Sequence, residues 1–274
     1  RLVRRWQALR RALRRWRRRA RPLWRAWRKA PPSLQVAASV VTILLIFAAL
    51  NVAYHIVKKP TEMFFPVAGA LNKLPPETWR QYGPLFRANS TQTITPELLA
   101  ALAQVEAAGN PVARTYWRWR LSWNPFDIYE PASSAVGMYQ MTDGTFAEAR
   151  RYCIHNHRVV AEGAWYDVHS CWLNALYMRV VPSHAVELAA VSLDRGVADI
   201  LERRGITSAS AQQKEDLAAL IHLCGAGAAD GFARRGFRLA PGQRCGDHEA
   251  AAYLGRVNAM KRLFARLAAA DQDD

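Results

Sequence analysis

The longest uniform stretch of the chain runs from Leu34 to Val57, which holds no Asp, Glu, Lys or Arg and where only His55 could carry a charge near neutral pH. At about 1.5 Å per helical residue the run reaches roughly 36 Å, enough for a ~30 Å hydrocarbon core. A cleaved signal peptide competes with this reading, but its apolar core would span only about 7–15 residues. We therefore expect a single transmembrane helix over residues 34–57. Upstream, Leu2, Trp6, Leu9, Leu13, Trp16, Ala20, Leu23 and Trp27 recur at alternating spacings of four and three. That spacing places them on one stripe of a helix, with Arg around the rest. Residues 1–30 then read as a basic amphipathic cytoplasmic segment lying on anionic inner-leaflet lipids. A basic tail without order that only enforces topology is the competing reading.

Downstream the period changes twice. Residues 58–93 read as a juxtamembrane stalk, with five prolines and the turn-like Asn89-Ser90-Thr91-Gln92-Thr93. From Thr95 onward the pattern is helical, with candidate helices at 96–108, 143–152, 164–180, 184–204, 209–223 and 247–269. No alternating run bounded by hairpin turns stands out, so strand content is expected to be low. The fold class is mainly α, with residues 94–274 as one helical domain behind the span.

Charge sharpens the topology. Of the 38 Lys and Arg, residues 1–29 hold thirteen Arg and one Lys, and no acidic residue precedes Glu62. Such a bias on one flank of the span puts the N-terminus in the cytoplasm of a bacterial inner membrane and the remainder in the periplasm. An arginine run beside a span needs no nucleic acid to explain it. Arg1 in first place leads us to expect a trimmed or renumbered start. Cys153, Cys171, Cys224 and Cys245 are an even set beyond the span, which suits two disulfides in an oxidising compartment. Four cysteines permit three pairings. We favour the short loops Cys153–Cys171 and Cys224–Cys245, with four buried thiols as the alternative.

Two segments carry candidate chemistry. In Thr95 to Pro111, Thr95 suits a helix cap and Pro96 the first helical position, while Gly109-Asn110-Pro111 ends the helix. Leu98, Leu99, Leu102 and Val105 form its apolar face, and the spacing puts Glu106 on that same face. A lone carboxylate among apolar neighbours is either paired or functional. Apolar surroundings and the negative end of the helix dipole both favour its protonated form, as a proton donor near neutral pH requires. The second segment, Ser133-Ser134-Ala135-Val136-Gly137-Met138-Tyr139-Gln140, reads as a tight turn, and Gln140 offers both a donor and an acceptor for sugar hydroxyl or acetamido groups.

Together these segments resemble the soluble-lytic-transglycosylase domain, a lysozyme-like family with a catalytic Glu at a helix end and a Ser-rich turn into Gly-Leu-Met-Gln. The resemblance covers roughly residues 94–265. It implies that Glu106 is the catalytic acid/base and that Ser134, Gly137, Met138, Tyr139 and Gln140 contact substrate. A further match, Glu249 to Val257, implies that Tyr253 reaches the cleft and that Glu249 supports it. The chain departs from the family in three places. Ala107 stands where Ser usually follows the Glu, Tyr139 replaces the Met before the Gln, and the Ala-Tyr-Asn-Ala-Gly segment maps onto Leu220 to Gly227. There His222 takes the place of the Tyr and Leu223 that of the substrate-contacting Asn.

The activity implied is cleavage of the MurNAc–GlcNAc β-1,4 bond of peptidoglycan with closure to a 1,6-anhydro sugar, without cofactor or metal. Intramolecular attack by the C6 hydroxyl needs no second carboxylate, although Asp127, Glu130 and Asp143 stand as partners for lysozyme-like hydrolysis. A non-catalytic glycan-binding or scaffolding component of an envelope machine, with a protein partner there, is the alternative from another class. Between the two segments lie Arg114, Tyr116, Trp117, Arg118, Trp119, Arg120, Trp123 and Phe126. These rings and guanidinium groups suit sugar stacking and stem-peptide carboxylates, a core, a membrane surface or another protein. Cys153-Ile154-His155-Asn156-His157 with His169 has zinc-type residues, but C-x-H-x-H is not a usual ligand spacing.

Overall fold

A computed structural model describes residues 27–64, 66–164, 166–167 and 170–273, the side chains of residues 172, 272 and 273 excepted. The basic segment over residues 1–26 lies outside the described residues, and so does His169. The chain divides after Val57 into two compact units. In the first, α1 (Pro32–Lys58) is a helix long and apolar enough to cross a membrane by length and composition. Its Leu34, Val36, Ile43, Leu44 and Leu45 are exposed.

The second unit is mainly helical. In chain order it contains α2 (Pro75–Ala88), α3 (Pro96–Ala107), α4 (Asp143–Ala149), α5 (Pro182–Arg203), α6 (Ala211–Arg234) and α7 (Ala250–Asp273). Three two-stranded antiparallel sheets are spliced between them: β1 (Trp117–Trp119) with β2 (Tyr129–Pro131), β3 (Tyr152–His155) with β4 (Arg158–Ala161), and β5 (Arg244–Cys245) with β6 (His248–Glu249).

The centre of the unit is α3. Leu98 through Ala103 are all buried, so this helix is apolar on every side rather than on one face. Its buried alanines let α2, α5 and α7 approach closely, and each fully buried leucine contributes about 1.5–3 kcal/mol. Thr95 holds the start of α3 by accepting from Leu98 N at 3.2 Å and donating to the buried Glu215 of α6 at 2.6 Å. Glu215 also meets Lys261 of α7, so one carboxylate ties three helices together.

Residues 58–93 are not a stalk. At the start of α2, Leu74 N donates to the Glu77 carboxylate at 3.0 Å. It buries Trp79, Tyr82 and Phe86 in the common core, and Trp79 Nε1 donates to Asp271 of α7 at 2.8 Å. The prolines that suggested a stalk sit where helices tolerate them: Pro75 and Pro76 open the first turn, and only Pro84 is internal.

The described residues of 164–180 form no α-helix either. Cys171 is bonded to Cys153, Asn174 Nδ2 donates to Tyr152 O at 2.5 Å, and Tyr177 donates to Glu187 at 2.7 Å. These ties to β3 and α5 leave only a short 3-10 turn at Trp172–Leu176. The β3–β4 hairpin turns through Asn156 (φ 49°) and His157 (φ 61°), two successive left-handed residues of the kind that match the twist of paired strands.

Candidate active site

Glu106 sits in the last turn of α3, and the backbone beyond it is tightly constrained. Ala108 (φ 49°) and Gly109 (φ 64°) both turn left-handed, and a Cβ on Gly109 would lie 2.3 Å from Thr78 Oγ1. Thr78 in turn donates to Gln104 at 2.7 Å, and Gln104 donates to Lys73 O at 2.9 Å. The buried Asn110 then donates to Asn72 at 2.8 Å and accepts from Val112 N at 3.0 Å. The helix end that carries Glu106 is therefore locked against α2 and the segment before it.

Two polar groups meet the Glu106 carboxyl. Tyr253 Oη, from the first turns of α7, donates to Oε1 at 2.5 Å. His222 Nε2, from α6, lies 3.6 Å from the same oxygen. The Glu106 side chain is 18 % exposed, and no Lys or Arg among the described residues pairs with it. Its Oε2 makes no hydrogen bond to any described residue. Tyr253 is 2 % exposed, and burial, reinforced by the Glu106 carboxylate, pushes its hydroxyl well above the usual phenol range. It stays a hydrogen-bond donor at any neutral or mildly alkaline pH.

His222 is held where α6 breaks. Gly225 takes φ 76° and ψ 170°, a conformation essentially reserved for glycine, in the middle of the segment 211–234. Cys224, its neighbour, is disulfide-bonded to Cys245 of β5, with a Cα–Cα distance of 5.1 Å. The β5–β6 hairpin leads directly into α7 and Tyr253, so this bond couples the two elements that bring partners to Glu106. The other pair, Cys153–Cys171, has a Cα–Cα distance of 5.4 Å.

A groove of about 350 Å³ opens beside this cluster, with Gln140, Glu148, Tyr152, Arg195, Asp199 and His222 in its walls. His222 is the residue shared between the groove and the carboxyl cluster; neither Glu106 nor Tyr253 forms part of the wall. The turn at Gly137 is built for its place. With φ 83°, Gly137 allows Gln140 N to donate to Gly137 O at 3.0 Å, and a Cβ there would lie 2.3 Å from Arg179 O. The Gln140 amide nitrogen donates to Gly137 O at 2.9 Å and to Ala113 O at 3.2 Å, so its carbonyl oxygen is the part left for a ligand.

The remaining sequence candidates fall elsewhere. Met138 is wholly buried in the core, and Tyr139 donates its hydroxyl to Leu99 O at 3.2 Å with only an edge in the groove wall. Ser134 accepts from Asp143 N at 3.1 Å and does not line the groove. Glu249 is exposed in β6, opposite Arg244, rather than on the final helix. Of the spare carboxylates, Asp143 binds Arg179 at 2.6 Å, and Glu130 lies 3.5 Å from Arg120 and 4.0 Å from Arg118. Neither those two nor Asp127 lines the groove.

Three participants carry no local sequence signal. Arg179 clamps the turn by donating to Ser134 O at 3.0 Å and Met141 O at 2.7 Å, partners far away in the chain. Glu148 and Asp199 reach the groove from separate helices. Among the described residues no cluster of three or more His, Cys, Asp or Glu is placed to hold a metal ion. No family model, curated protein or solved structure matches this chain.

Proposed function

We propose that this chain is a membrane-anchored peptidoglycan lytic transglycosylase whose lysozyme-like helical domain faces the periplasm, with Glu106 as general acid and base. The observation that carries this reading is the carboxyl cluster: a part-exposed Glu at the end of a helix buried over residues 98–103, met by Tyr253 and His222 from two other helices, beside a groove of sugar-binding size. In this reading Tyr253 orients the carboxyl through Oε1, and Oε2 carries the proton delivered to the glycosidic oxygen between MurNAc and GlcNAc. The resulting carboxylate then accepts the proton of the MurNAc C6 hydroxyl as that oxygen closes on C1. One carboxyl serves both steps. The Gln140 carbonyl oxygen and the Glu148 and Asp199 carboxylates are placed to accept from sugar hydroxyl or amide groups.

A glycan-binding component without catalysis is the second reading, and His222 favours it. Its Nε2 lies 3.6 Å from Oε1, and it is the residue of the cluster that lines the groove, whereas Glu106 does not. Full-length protein in mild detergent separates the two. Under the first reading the wild type clears a suspension of sacculi and Glu106→Gln does not. If both are inert, yet both sediment with sacculi, the chain binds glycan without cutting it.

A further inference from the structure

The aromatic and basic insertion folds as a two-stranded hairpin. Trp117, Arg118 and Trp119 of β1 face Pro131, Glu130 and Tyr129 of β2. Alternation along a strand sends Trp117 and Trp119 to one side, where both rings meet Tyr129 at centroid distances of 5.1 and 4.6 Å. The other side carries Arg118, Glu130 and, just beyond the strand, Arg120; the two guanidinium side chains are about half exposed. At the tip the arrangement is unusual. Leu121 and Trp123 are 103 % and 104 % exposed, and Trp119 is 75 % exposed. Proteins surrounded by water alone rarely display rings and leucine together at a projecting tip.

The base of this hairpin is fastened to the chain just after the span. Glu62, 3 % exposed, accepts from Trp117 Nε1 at 2.9 Å and pairs with Arg114 and Lys59, each at 3.1 Å. Glu62 stands four positions after Lys58, the last of α1, a tether of at most about 14 Å at full extension. Covalent continuity thus keeps the point at which the hairpin's base is fastened within that distance of the end of α1. Met63 and Val67, on the segment after Glu62, are exposed as well.

We propose that the Trp119–Leu121–Trp123 tip inserts into the interface of the bilayer that α1 crosses, on the side of the second unit, with Arg118 and Arg120 at headgroup phosphates. Tryptophan favours that interface because its ring is apolar and its N–H polar, and arginine pairs with phosphate. The span and the tip would then form two attachments, fixing the height and tilt of the groove above the lipid. This inference rests on the anchor reading and is independent of the glycan chemistry.

The test uses full-length protein reconstituted in phosphatidylethanolamine–phosphatidylglycerol vesicles, part of whose lipid is brominated on the acyl chains. Wild type is compared with Trp119→Phe/Trp123→Phe, substitutions that keep an apolar ring at both exposed positions. The expected result is that the emission removed by the two substitutions belongs to the bromine-quenched share, which falls accordingly. If the variant loses only unquenched emission, the rings lie in water or against another macromolecule, and the proposal is overturned while the anchor stands. Alkaline carbonate extraction of the wild type reads the anchor separately. Release from the vesicles would overturn the anchor and with it the tether on which the proposal depends.

Discussion

Replacing Tyr253 by Phe isolates the hydroxyl that meets Glu106. The ring is 2 % exposed and remains packed, so the change removes one donor without opening a cavity. The lost bond is made to a carboxyl oxygen, which argues for a large effect. Glu106 keeps 18 % of its side-chain surface, however, and water can replace part of what is lost. We expect a cost of about 1–2 kcal/mol at pH 8. The pH dependence gives the sharper signature. Burial and the Glu106 carboxylate raise the folded pKa of Tyr253 well above its unfolded value near 10.0. The stabilisation linked to that shift is complete below about pH 10 and is lost as pH rises further, because the unfolded chain releases a proton that the folded chain retains. One such proton is worth about 1.4 kcal/mol per pH unit. Tyr253→Phe has no proton to lose, while the raised Tyr82, Tyr139 and Tyr177 titrate in both proteins and cancel. The stability gap should therefore close near pH 11 and reverse above it. Urea unfolding of the full-length chain in mild detergent, followed by near-ultraviolet circular dichroism from pH 8 to 11, reads this directly. A gap that stays constant across that range would refute the buried-donor geometry.

Gly137→Ala should cost at least about 2 kcal/mol, since it combines a left-handed backbone with a Cβ 2.3 Å from Arg179 O. Gly144→Ala, in the open helix α4 with nothing within 4 Å, should instead stabilise slightly; differential scanning calorimetry of the pair checks both signs. Replacing Cys224 and Cys245 by Ser opens a loop of 21 residues, worth roughly 3 kcal/mol. The thermal midpoint should fall by about 6–12 °C, and reductant should lower the wild type more than the variant.

The helices were legible in the sequence where period and punctuation agreed. Thr95-Pro96 and Gly109 bracket α3 as capping chemistry requires, and the pattern that ends a helix at residue 223 marks the break at Gly225 within α6. The long apolar helix α1 was legible from an uncharged run alone. α2 was hidden by its prolines, which read as linker although contacts elsewhere in the fold determine its burial: α3, α5 and α7 by packing, and Asp271 by a hydrogen bond. Two hairpins did leave signals. Trp117-Arg118-Trp119-Arg120 alternates with a period of two, and Asn156-His157 occupies a two-residue turn, but both runs are shorter than the helical windows around them. Of the candidate site, Tyr253 and His222 meet the Glu106 carboxyl, while Gln140 lies in the wall of the groove, which shares only His222 with that cluster. Met138 and Tyr139 could not be told from ligand contacts by sequence, because a turn exposes or buries its residues according to what packs behind it. Arg179, Glu148 and Asp199 were out of reach for the same reason: their roles depend on contacts between segments far apart in the chain.

The central claim concerns one carboxyl, and the ends of the released glycan test it most directly. Sacculi are incubated with full-length wild type or Glu106→Gln, and the soluble fragments are weighed by mass spectrometry before and after borohydride reduction. The account predicts fragments from the wild type that end in 1,6-anhydro-MurNAc, one water lighter than a hydrolysed end and resistant to reduction, and none from Glu106→Gln. Equal release by both proteins, or wild-type fragments whose ends all take up borohydride, would contradict it.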